Sequence, residues 1–354
     1  MPSPTATPPD HEVIERLLTF YLPLQPDIHP DATSIQQQTL RWVRSFDLGQ
    51  GDDMIHVMVS QVGAGLLSYC YPCATGELAQ LLANYNAWAW VAQDRLAALT
   101  RTCEAMLAIG RWERIVRSPN SWPATTDALE AALADVFKRL RRCMTPVQWE
   151  RFLAGQSQWV SALGWEVALR ERGTALTLND YLALRMGISG CYAAPAYLDA
   201  VQGIELDEKQ LSHPRFRAAV DTAMMTAALD NDRYSYLREL DREGKDYNLF
   251  TALRNEYPDW SVAQVIDSGI AYRDRIMTRY LQLRAQLLRD ANHDCRTYLE
   301  GIDLIVAGNM NFAAAAATRY NLPYHPVITD QPSDPRTELP PAATIAWWWD
   351  EHRP

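Results

Sequence analysis

The sequence lacks the features that would place the chain in a membrane or in a secreted disulfide framework. None of the apolar runs among its 354 residues reaches the roughly 20 residues that a membrane-spanning helix needs. Residues 1–10 have neither the basic start nor the apolar stretch of a signal peptide. The six cysteines are few for this length and do not follow disulfide-framework spacing. We therefore expect a cytoplasmic protein with reduced cysteines.

Zinc-finger spacing and strand patterns are absent as well. Cys70 and Cys73 form a C-x-x-C, but no second pair completes a zinc site, which favours a structural role for both. Alternating apolar and polar runs and Asn-Gly hairpin signals do not occur. The formal charge of −10 disfavours nucleic acid and anionic lipid as partners. An anionic ligand would need arginines or metal ions close to it.

Apolar residues instead recur at helical spacing from about Pro9 to Tyr320, which predicts an all-α fold. The long helical segments carry apolar residues on more than one flank, which indicates a bundle around a central cavity. The clearest predicted helices are Tyr85–Leu99, Trp159–Arg172, Met224–Leu240, Ser261–Leu288 and Asp294–Tyr320.

Both ends of the chain are rich in proline, so we expect them to be irregular. The prediction is a disordered tail at 1–10, a single helical domain at 11–320 and a Pro-rich tail at 321–354. Within the second tail, residues 347–349 are three tryptophans. They could dock on a groove or a partner, or pack on the chain's own surface.

A metal-binding pattern lies on the helix predicted at 224–240. Asn231, Ser235 and Glu239 stand at positions i, i+4 and i+8 and project three oxygen ligands from one face. Oxygen-only sets suit Mg²⁺. Arg238 lies beside Glu239 and could hold a diphosphate bidentately. The alternative is an ordinary polar helix face with a solvated Glu239.

The stretch 231–239 resembles the N-D-x-x-S-x-x-(K/R)-E metal motif of class I terpene synthases at every specified position. The resemblance covers roughly 20–320 and implies an all-helical, Mg²⁺-dependent enzyme that ionises an isoprenoid diphosphate. It implies that Arg185 senses the diphosphate and that Ser189 or Gly190 directs a carbonyl at the ionising carbon.

The resemblance also extends to the last predicted helix. Arg319 and Tyr320 match an Arg-Tyr pair that binds diphosphate in this family, and Phe312 stands where many relatives have tryptophan. With Trp90, Phe312 would contribute an aromatic wall that stabilises carbocations. Plain core packing is the alternative for Trp90.

The sequence departs from the family at the first metal motif. Gln93 occupies the position of the leading aspartate, and a neutral amide oxygen is a weaker Mg²⁺ ligand than a carboxylate. Asp94 could turn inward and replace it, or it could pair with Arg319. Asp52 and Asp53 lie too early in the chain and indicate a helix N-terminus instead.

A terpene synthase is therefore the function that we predict. The substrate expected first is farnesyl diphosphate, with geranylgeranyl diphosphate second, and a homodimer stays open as an assembly. The competing interpretation is a degenerate relative that binds an isoprenoid diphosphate or a partner without turnover. A chain-elongating prenyltransferase would need two aspartate-rich motifs, and the sequence has neither.

Overall fold

The computed structural model describes residues 11–121, 125–240, 247–315, 325–338 and 342–350, with side chains described outside 237–240 and 315. Helices dominate this part of the chain, which confirms the all-α prediction. The helices are α1 His11–Leu17, α2 Ala32–Ser45, α3 Asp53–Cys70, α4 Gly76–Ala97, α5 Thr102–Arg117, α6 Ala128–Leu140, α7 Pro146–Arg172, α8 Leu178–Ile188, α9 Ala193–Ala196, α10 Leu198–Gln202, α11 Glu208–Ser212, α12 Pro214–Leu240, α13 Leu249–Glu256, α14 Val262–Arg289 and α15 His293–Ala315. The remaining elements are the strands β1 Thr19–Tyr21 and β2 Val327–Thr329 and the 3₁₀ helix Ala343–Trp349.

Each of the five clearest predicted helices has a counterpart, and three of them, α4, α7 and α12, begin about ten residues earlier than predicted. For α7 the start is visible in the sequence. Thr145 and Gln148 form a capping box, and Pro146 occupies the first turn. The α7 prediction began at Trp159 because it followed apolar periodicity alone.

Asp52 behaves as predicted for a helix N-terminus. Its carboxylate caps α3 by accepting a hydrogen bond from the backbone N–H of Met54 at 2.8 Å. The six cysteines are free, as expected, with Cys70 buried and Cys73 exposed. None of the helices in the described part of the chain combines the length and apolar character that crossing a bilayer requires.

The segment near the C-terminus contains two elements and so corrects the expectation of an irregular tail. Strand β2 pairs in parallel with β1, with Phe20 opposite Ile328. The pairing brings residues near the two ends of the chain together. The sequence did not indicate it, because each strand has only three residues and neither alternates clearly.

A buried arginine fastens the first of these strands to α12. Arg233 donates hydrogen bonds to the carbonyls of Leu17 and Thr19, at 3.0 Å and 2.6 Å, and its guanidinium lies 3.9 Å from the centre of the Phe20 ring. Burial lowers the pKa of Arg233 to about 10. The metal-motif helix is therefore held against the N-terminal segment by charge-assisted hydrogen bonds.

The tryptophans at 347–349 pack on the chain's own surface. Trp348 is buried, and its carbonyl accepts a hydrogen bond from Nε of Arg279 on α14 at 2.8 Å. The N–H of Thr344 donates to the side chain of Asn179 on α8 at 2.8 Å. Of the arrangements left open by the sequence, docking on the protein itself is the one observed.

Replacement of Trp348 by alanine is expected to lower the free energy of unfolding by about 3–5 kcal/mol, because it removes a large buried side chain. Chemical denaturation followed by circular dichroism would measure the change. Ile328→Ala, in the same C-terminal segment but 48% exposed, is the control and should cost under about 1 kcal/mol. Equal effects of the two substitutions would contradict a structural role for the Trp348 contact.

Candidate active site

A central cavity of about 230 Å³ opens between the helices that carry the predicted site. Its walls come from α3, α4, α7, α8, α12 and α15, with the connection between α8 and α10 closing one side. The bundle around a cavity that the sequence predicted is therefore present. Of the predicted site residues, those that line the cavity are Trp90, Arg185, Ser189, Gly190, Asn231 and Phe312.

The other predicted residues fall into two groups. Asp94 is exposed and Ser235 is buried, and neither lines the cavity. The remaining four lie beyond what the structure describes: the side chains of Arg238 and Glu239, and the whole of Arg319 and Tyr320. The structure thus brings α4, α8, α12 and α15 together at one site but leaves the second half of the metal motif undescribed.

Arg185 is the charged centre of the cavity wall. It is 7% exposed, and its Nη2 lies 2.6 Å from a carboxylate oxygen of Asp232. The same nitrogen donates to Oδ1 of Asn231 at 3.0 Å and to the carbonyl of Ala228 at 2.9 Å. Helix α8 is thereby joined to the first residue of the metal motif, and the guanidinium is held in place before any ligand arrives.

Asp232 orients that arginine from behind, a role that the sequence analysis did not assign. Its carboxylate accepts hydrogen bonds from the hydroxyl of Tyr181 and from the N–H of Leu249, the latter at 3.1 Å. Burial raises the pKa of Asp232, and the guanidinium of Arg185 opposes this rise. The sequence did offer a signal for this role. Asp232 is the second position of the motif and lies about 100° round the helix from Asn231, on the side that faces α8.

The next predicted ligand, Ser235, is one turn further along α12 and 5% exposed. Its hydroxyl donates to the carbonyl of Asp232 at 3.3 Å and accepts from Nδ2 of Asn248 at 3.5 Å. Asn248 also caps α13 by accepting from the N–H of Phe250. Asn248, at the start of α13, is therefore hydrogen-bonded directly to one of the predicted ligands.

The helix α4 presents an amide to the cavity in place of an acid. Gln93 lines the cavity one turn after Trp90, while Asp94, one residue on, faces solvent. This placement argues against Asp94 as a metal ligand, since an inward turn would require α4 to rotate by about 100°. Another polar group on the same face is Asn86, which is 8% exposed.

The connection after α8 turns sharply at a glycine with a positive φ and forms part of the cavity wall. Gly190 has φ +71°, a conformation that glycine adopts without strain, and it turns the chain directly after α8. Its carbonyl accepts a hydrogen bond from the N–H of Ala194 at 2.8 Å. Ser189 donates its hydroxyl back to the carbonyl of Arg185 at 2.7 Å. Both residues stay at the cavity wall, next to the arginine.

Apolar and aromatic side chains form most of the remaining cavity wall. Trp90 and Phe312 were predicted for this wall, but four further aromatic side chains line it as well: Tyr71, Tyr85, Trp159 and Tyr197. Tyr85 and Trp159 lie inside the predicted helices, and Tyr85 falls on the cavity face of α4, which is a signal that the sequence offered. Tyr71 and Tyr197 follow helix ends, where spacing gives no direction.

Two thiols also face the cavity. Burial raises the pKa of Cys70 and of Cys191 to about 12, so both stay protonated at neutral pH. Neutral thiols are far poorer nucleophiles than thiolates. The cavity thus combines one cationic, hydrogen-bonding end with walls that offer π faces and no thiolate, an arrangement suited to a ligand with an anionic head and an apolar chain.

Comparison with known proteins agrees with this geometry. The protein-family model described as terpene synthase family 2, C-terminal metal binding, matches residues 84–278. The chain is 42% identical to the diterpene cyclase DtcycB of Streptomyces sp over 336 residues, which cover 94% of this chain and 97% of that one. It is 26% identical to the bonnadiene synthase of Allokutzneria albata, with 94% and 96% covered.

Solved structures agree as well. The SVS_A2 protein from ancestral sequence reconstruction superposes with a TM-score of 0.82 at 28% identity, covering 94% of this chain and 98% of that one. An α-eudesmol synthase shares the fold, with a TM-score of 0.73 at 24% identity over 84% and 99% of the two chains. The chain therefore belongs to the terpene synthase family and is a terpene cyclase, as its metal motif predicted.

Proposed function

We propose that this cyclase ionises geranylgeranyl diphosphate, releases diphosphate and cyclises the twenty-carbon cation. The observation that carries the proposal is the hydrogen bond between Arg185 and Asn231 at the wall of a cavity whose lining includes six aromatic side chains. The length of the substrate's isoprenyl chain is inferred from the 42% identical relative, which is named a diterpene cyclase. This inference reverses the order expected from the sequence, where farnesyl diphosphate came first.

The cationic end is proposed to act on the leaving group. Ionisation breaks the bond between the allylic carbon and the diphosphate oxygen, and the electron pair stays on that oxygen. Arg185 is already fixed by Asp232, so it can stabilise the developing charge without reorganising. We place Arg238, Arg319 and Tyr320 in the same diphosphate site on the strength of the motif alone.

The donor set fits a magnesium ion. Asn231, Ser235 and Glu239 would supply an amide, a hydroxyl and a carboxylate oxygen, the ligand types that Mg²⁺ prefers. In the described part of the chain no cluster of three or more His, Cys, Asp or Glu side chains is placed to bind a metal, and the proposed ligand set does not depend on one. The metal would supply Lewis-acid stabilisation of the departing diphosphate.

The aromatic walls are proposed to protect the cation after ionisation. Trp90 and Phe312, joined by the tyrosines of the cavity, present π faces that stabilise a positive charge without forming a bond to it. Exclusion of bulk water from the aromatic part of the cavity would delay the attack of water on the carbocation until rings have closed. Ser189 and Gly190 would set the position of the ionising carbon beside Arg185.

The substrate length is tested by competition. With equal concentrations of the fifteen- and twenty-carbon diphosphates and Mg²⁺, we expect kcat/KM to favour the twenty-carbon substrate by at least about tenfold, because five further carbons are buried. Gas chromatography of the hydrocarbons measures the ratio. A preference for the fifteen-carbon substrate would overturn the assignment of length and leave the diphosphate chemistry intact.

Restoring a carboxylate at position 93 of α4 tests whether Gln93 weakens Mg²⁺ binding. We expect Gln93→Asp to lower the Mg²⁺ concentration at half-maximal rate by about tenfold, since it adds a charged oxygen ligand at the cavity wall. Asp94→Asn is the matched control and should leave the requirement unchanged. An unchanged Mg²⁺ requirement in Gln93→Asp would contradict the account of position 93. A large rise of the requirement in Asp94→Asn would identify Asp94 as the metal ligand on α4 instead.

For assembly and location we propose a cytoplasmic homodimer. The dimer is supported by exposed apolar side chains on the packed helices α5 and α7. Met106, Leu107 and Trp165 are 49%, 65% and 42% exposed. Apolar side chains grouped in this way are typical of protein interfaces. Light scattering of the purified protein should give twice the chain mass of 40.1 kDa, and a single chain mass would contradict the dimer.

A further inference from the structure

One buried residue outside the metal motif is hydrogen-bonded to the motif at two points. Asn248 is 1% exposed, and its Nδ2 donates to the carbonyl of Asp232 at 3.1 Å and to the hydroxyl oxygen of Ser235 at 3.5 Å. The hydroxyl of Ser235 donates in turn to the same carbonyl at 3.3 Å. The three groups therefore form a triangle of hydrogen bonds around the second predicted metal ligand.

This triangle limits the orientation of the Ser235 hydroxyl. A hydroxyl group has one proton and two lone pairs. Its proton points at the carbonyl of Asp232 and one lone pair accepts from Asn248, so the direction of the second lone pair is set as well. Without the amide, the hydroxyl would be free to rotate toward other carbonyls of the preceding turn, to which serine in a helix commonly bonds. Asn248 therefore orders the hydroxyl before an ion binds to it.

The start of α13 holds Asn248 in this place. Its Oδ1 caps the helix by accepting from the N–H of Phe250 at 2.9 Å. The ring of Phe250 packs on the ring of Tyr236 on α12, with the two centroids 4.6 Å apart. The N–H of Leu249 donates to the carboxylate of Asp232 at 3.1 Å. Side-chain and backbone contacts thus fix the start of α13 against α12, with the amide directed at the motif.

We propose that Asn248 is a positioning residue for Mg²⁺, which presents the hydroxyl of Ser235 to the ion without contacting the ion itself. The inference rests on the proposed metal ligands and adds to them a residue outside the motif that determines how tightly the ion is held. Hydrogen bonds that orient a metal ligand typically contribute about 10–100-fold to metal affinity. We expect the contribution of Asn248 near the lower end of this range, because its contact with the hydroxyl is 3.5 Å long.

Two substitutions separate this role from helix capping. Serine is as good an N-cap as asparagine, and its shorter side chain lacks the amide, so Asn248→Ser keeps the cap of α13 and loses both donated hydrogen bonds. Asn248→Ala loses the cap as well. In titrations of Mn²⁺ with diphosphate present, followed by electron paramagnetic resonance, both variants should bind the metal about tenfold more weakly than wild type. The fall in melting temperature should be larger in Asn248→Ala.

A double-mutant cycle with Ser235→Ala shows whether the effect passes through the proposed ligand. In the Ser235→Ala background, Asn248→Ser should weaken Mn²⁺ binding by no more than about twofold further. Ser261→Ala removes the N-cap of α14, outside the motif, and is the control that should leave Mn²⁺ affinity unchanged. Circular dichroism confirms that each variant is folded before binding is compared.

The outcomes distinguish this inference from the proposed metal site. Wild-type Mn²⁺ affinity in a folded Asn248→Ser, or an equal loss in both backgrounds of the cycle, overturns the role of Asn248 and leaves Ser235 as a ligand. Unchanged affinity in Ser235→Ala shows instead that the proposed ligand is wrong, and the inference fails with it. A loss in Asn248→Ser that disappears in the Ser235→Ala background supports both.

Discussion

Replacement of Arg185 by methionine is expected to reduce kcat/KM for the isoprenoid diphosphate by about 10³-fold or more. Mutations that remove a preorganised donor to a developing oxyanion cost about 10²–10³ in rate. Here the same side chain also donates a hydrogen bond to Oδ1 of Asn231 at 3.0 Å, so its loss would disturb this proposed metal ligand as well. Diphosphate release, followed with a coupled assay, measures the effect.

The same substitution should also destabilise the protein. Asp232 is 1% exposed and would keep only its hydrogen bonds to Tyr181 and Leu249, without a compensating cation. Breaking a buried pair by removing one partner costs about 3–5 kcal/mol. Because burial already raises the pKa of Asp232, we expect the variant to bind a proton there and to lose less stability at low pH than at neutral pH.

Two variants separate the catalytic effect from the structural one. Arg185→Lys keeps the positive charge beside Asp232 and should recover most of the stability but little of the rate, because lysine is a point charge without the guanidinium fork. Arg44→Met, at an exposed arginine paired with Asp53, is the control and should change neither quantity appreciably. A folded Arg185→Met with a rate within tenfold of wild type would contradict the role assigned to this residue.

Substitution of Asn231 by alanine is the second large effect that we expect. It removes the first proposed ligand of the metal motif, and α4 contributes Gln93 rather than a carboxylate to the cavity wall. With so little metal-binding capacity elsewhere in the described cavity, loss of one oxygen ligand should weaken Mg²⁺ binding by about 10²-fold. The rate at fixed Mg²⁺ should fall at least as far.

Manganese binding gives this prediction a readout that is independent of turnover. Electron paramagnetic resonance titration of Mn²⁺ in the presence of diphosphate should show a loss of bound metal in Asn231→Ala and its recovery in Asn231→Asp, which supplies a charged oxygen ligand. Asn309→Ala, at another cavity amide that donates to the carbonyl of Ala227 at 3.0 Å, is the matched control. Equal metal binding by Asn231→Ala and wild type would remove this residue from the metal site.

The sequence predicted the helical fold and much of the cavity wall because both depend on local patterns. The motif on α12 repeats a predicted oxygen ligand at every fourth position, and α4 places Tyr85, Trp90 and Gln93 at the cavity, so spacing alone indicates their direction. The match of residues 84–278 to the family confirms the enzyme class that these patterns indicated.

The features that the sequence did not predict arise from contacts between distant segments. The pairing of β1 with β2 joins residues about 300 positions apart, and three-residue strands carry almost no periodicity. Asp232 acquires its role only because Tyr181 and Leu249 converge on it from other helices. The ring of Phe312 lies so close to Gly65 that an added Cβ there would be 2.9 Å from it, and this contact depends on how closely α15 and α3 cross, which residue spacing does not encode.

Ionisation of an isoprenoid diphosphate despite the amide at position 93 is the activity that we expect of this chain. Its most direct test is incubation of the purified protein with Mg²⁺ and geranylgeranyl diphosphate, with products identified by gas chromatography and mass spectrometry and diphosphate quantified in parallel. We predict a cyclic twenty-carbon product and one equivalent of diphosphate per substrate consumed. Tight binding with no diphosphate released from the ten-, fifteen- or twenty-carbon substrate would contradict the claim.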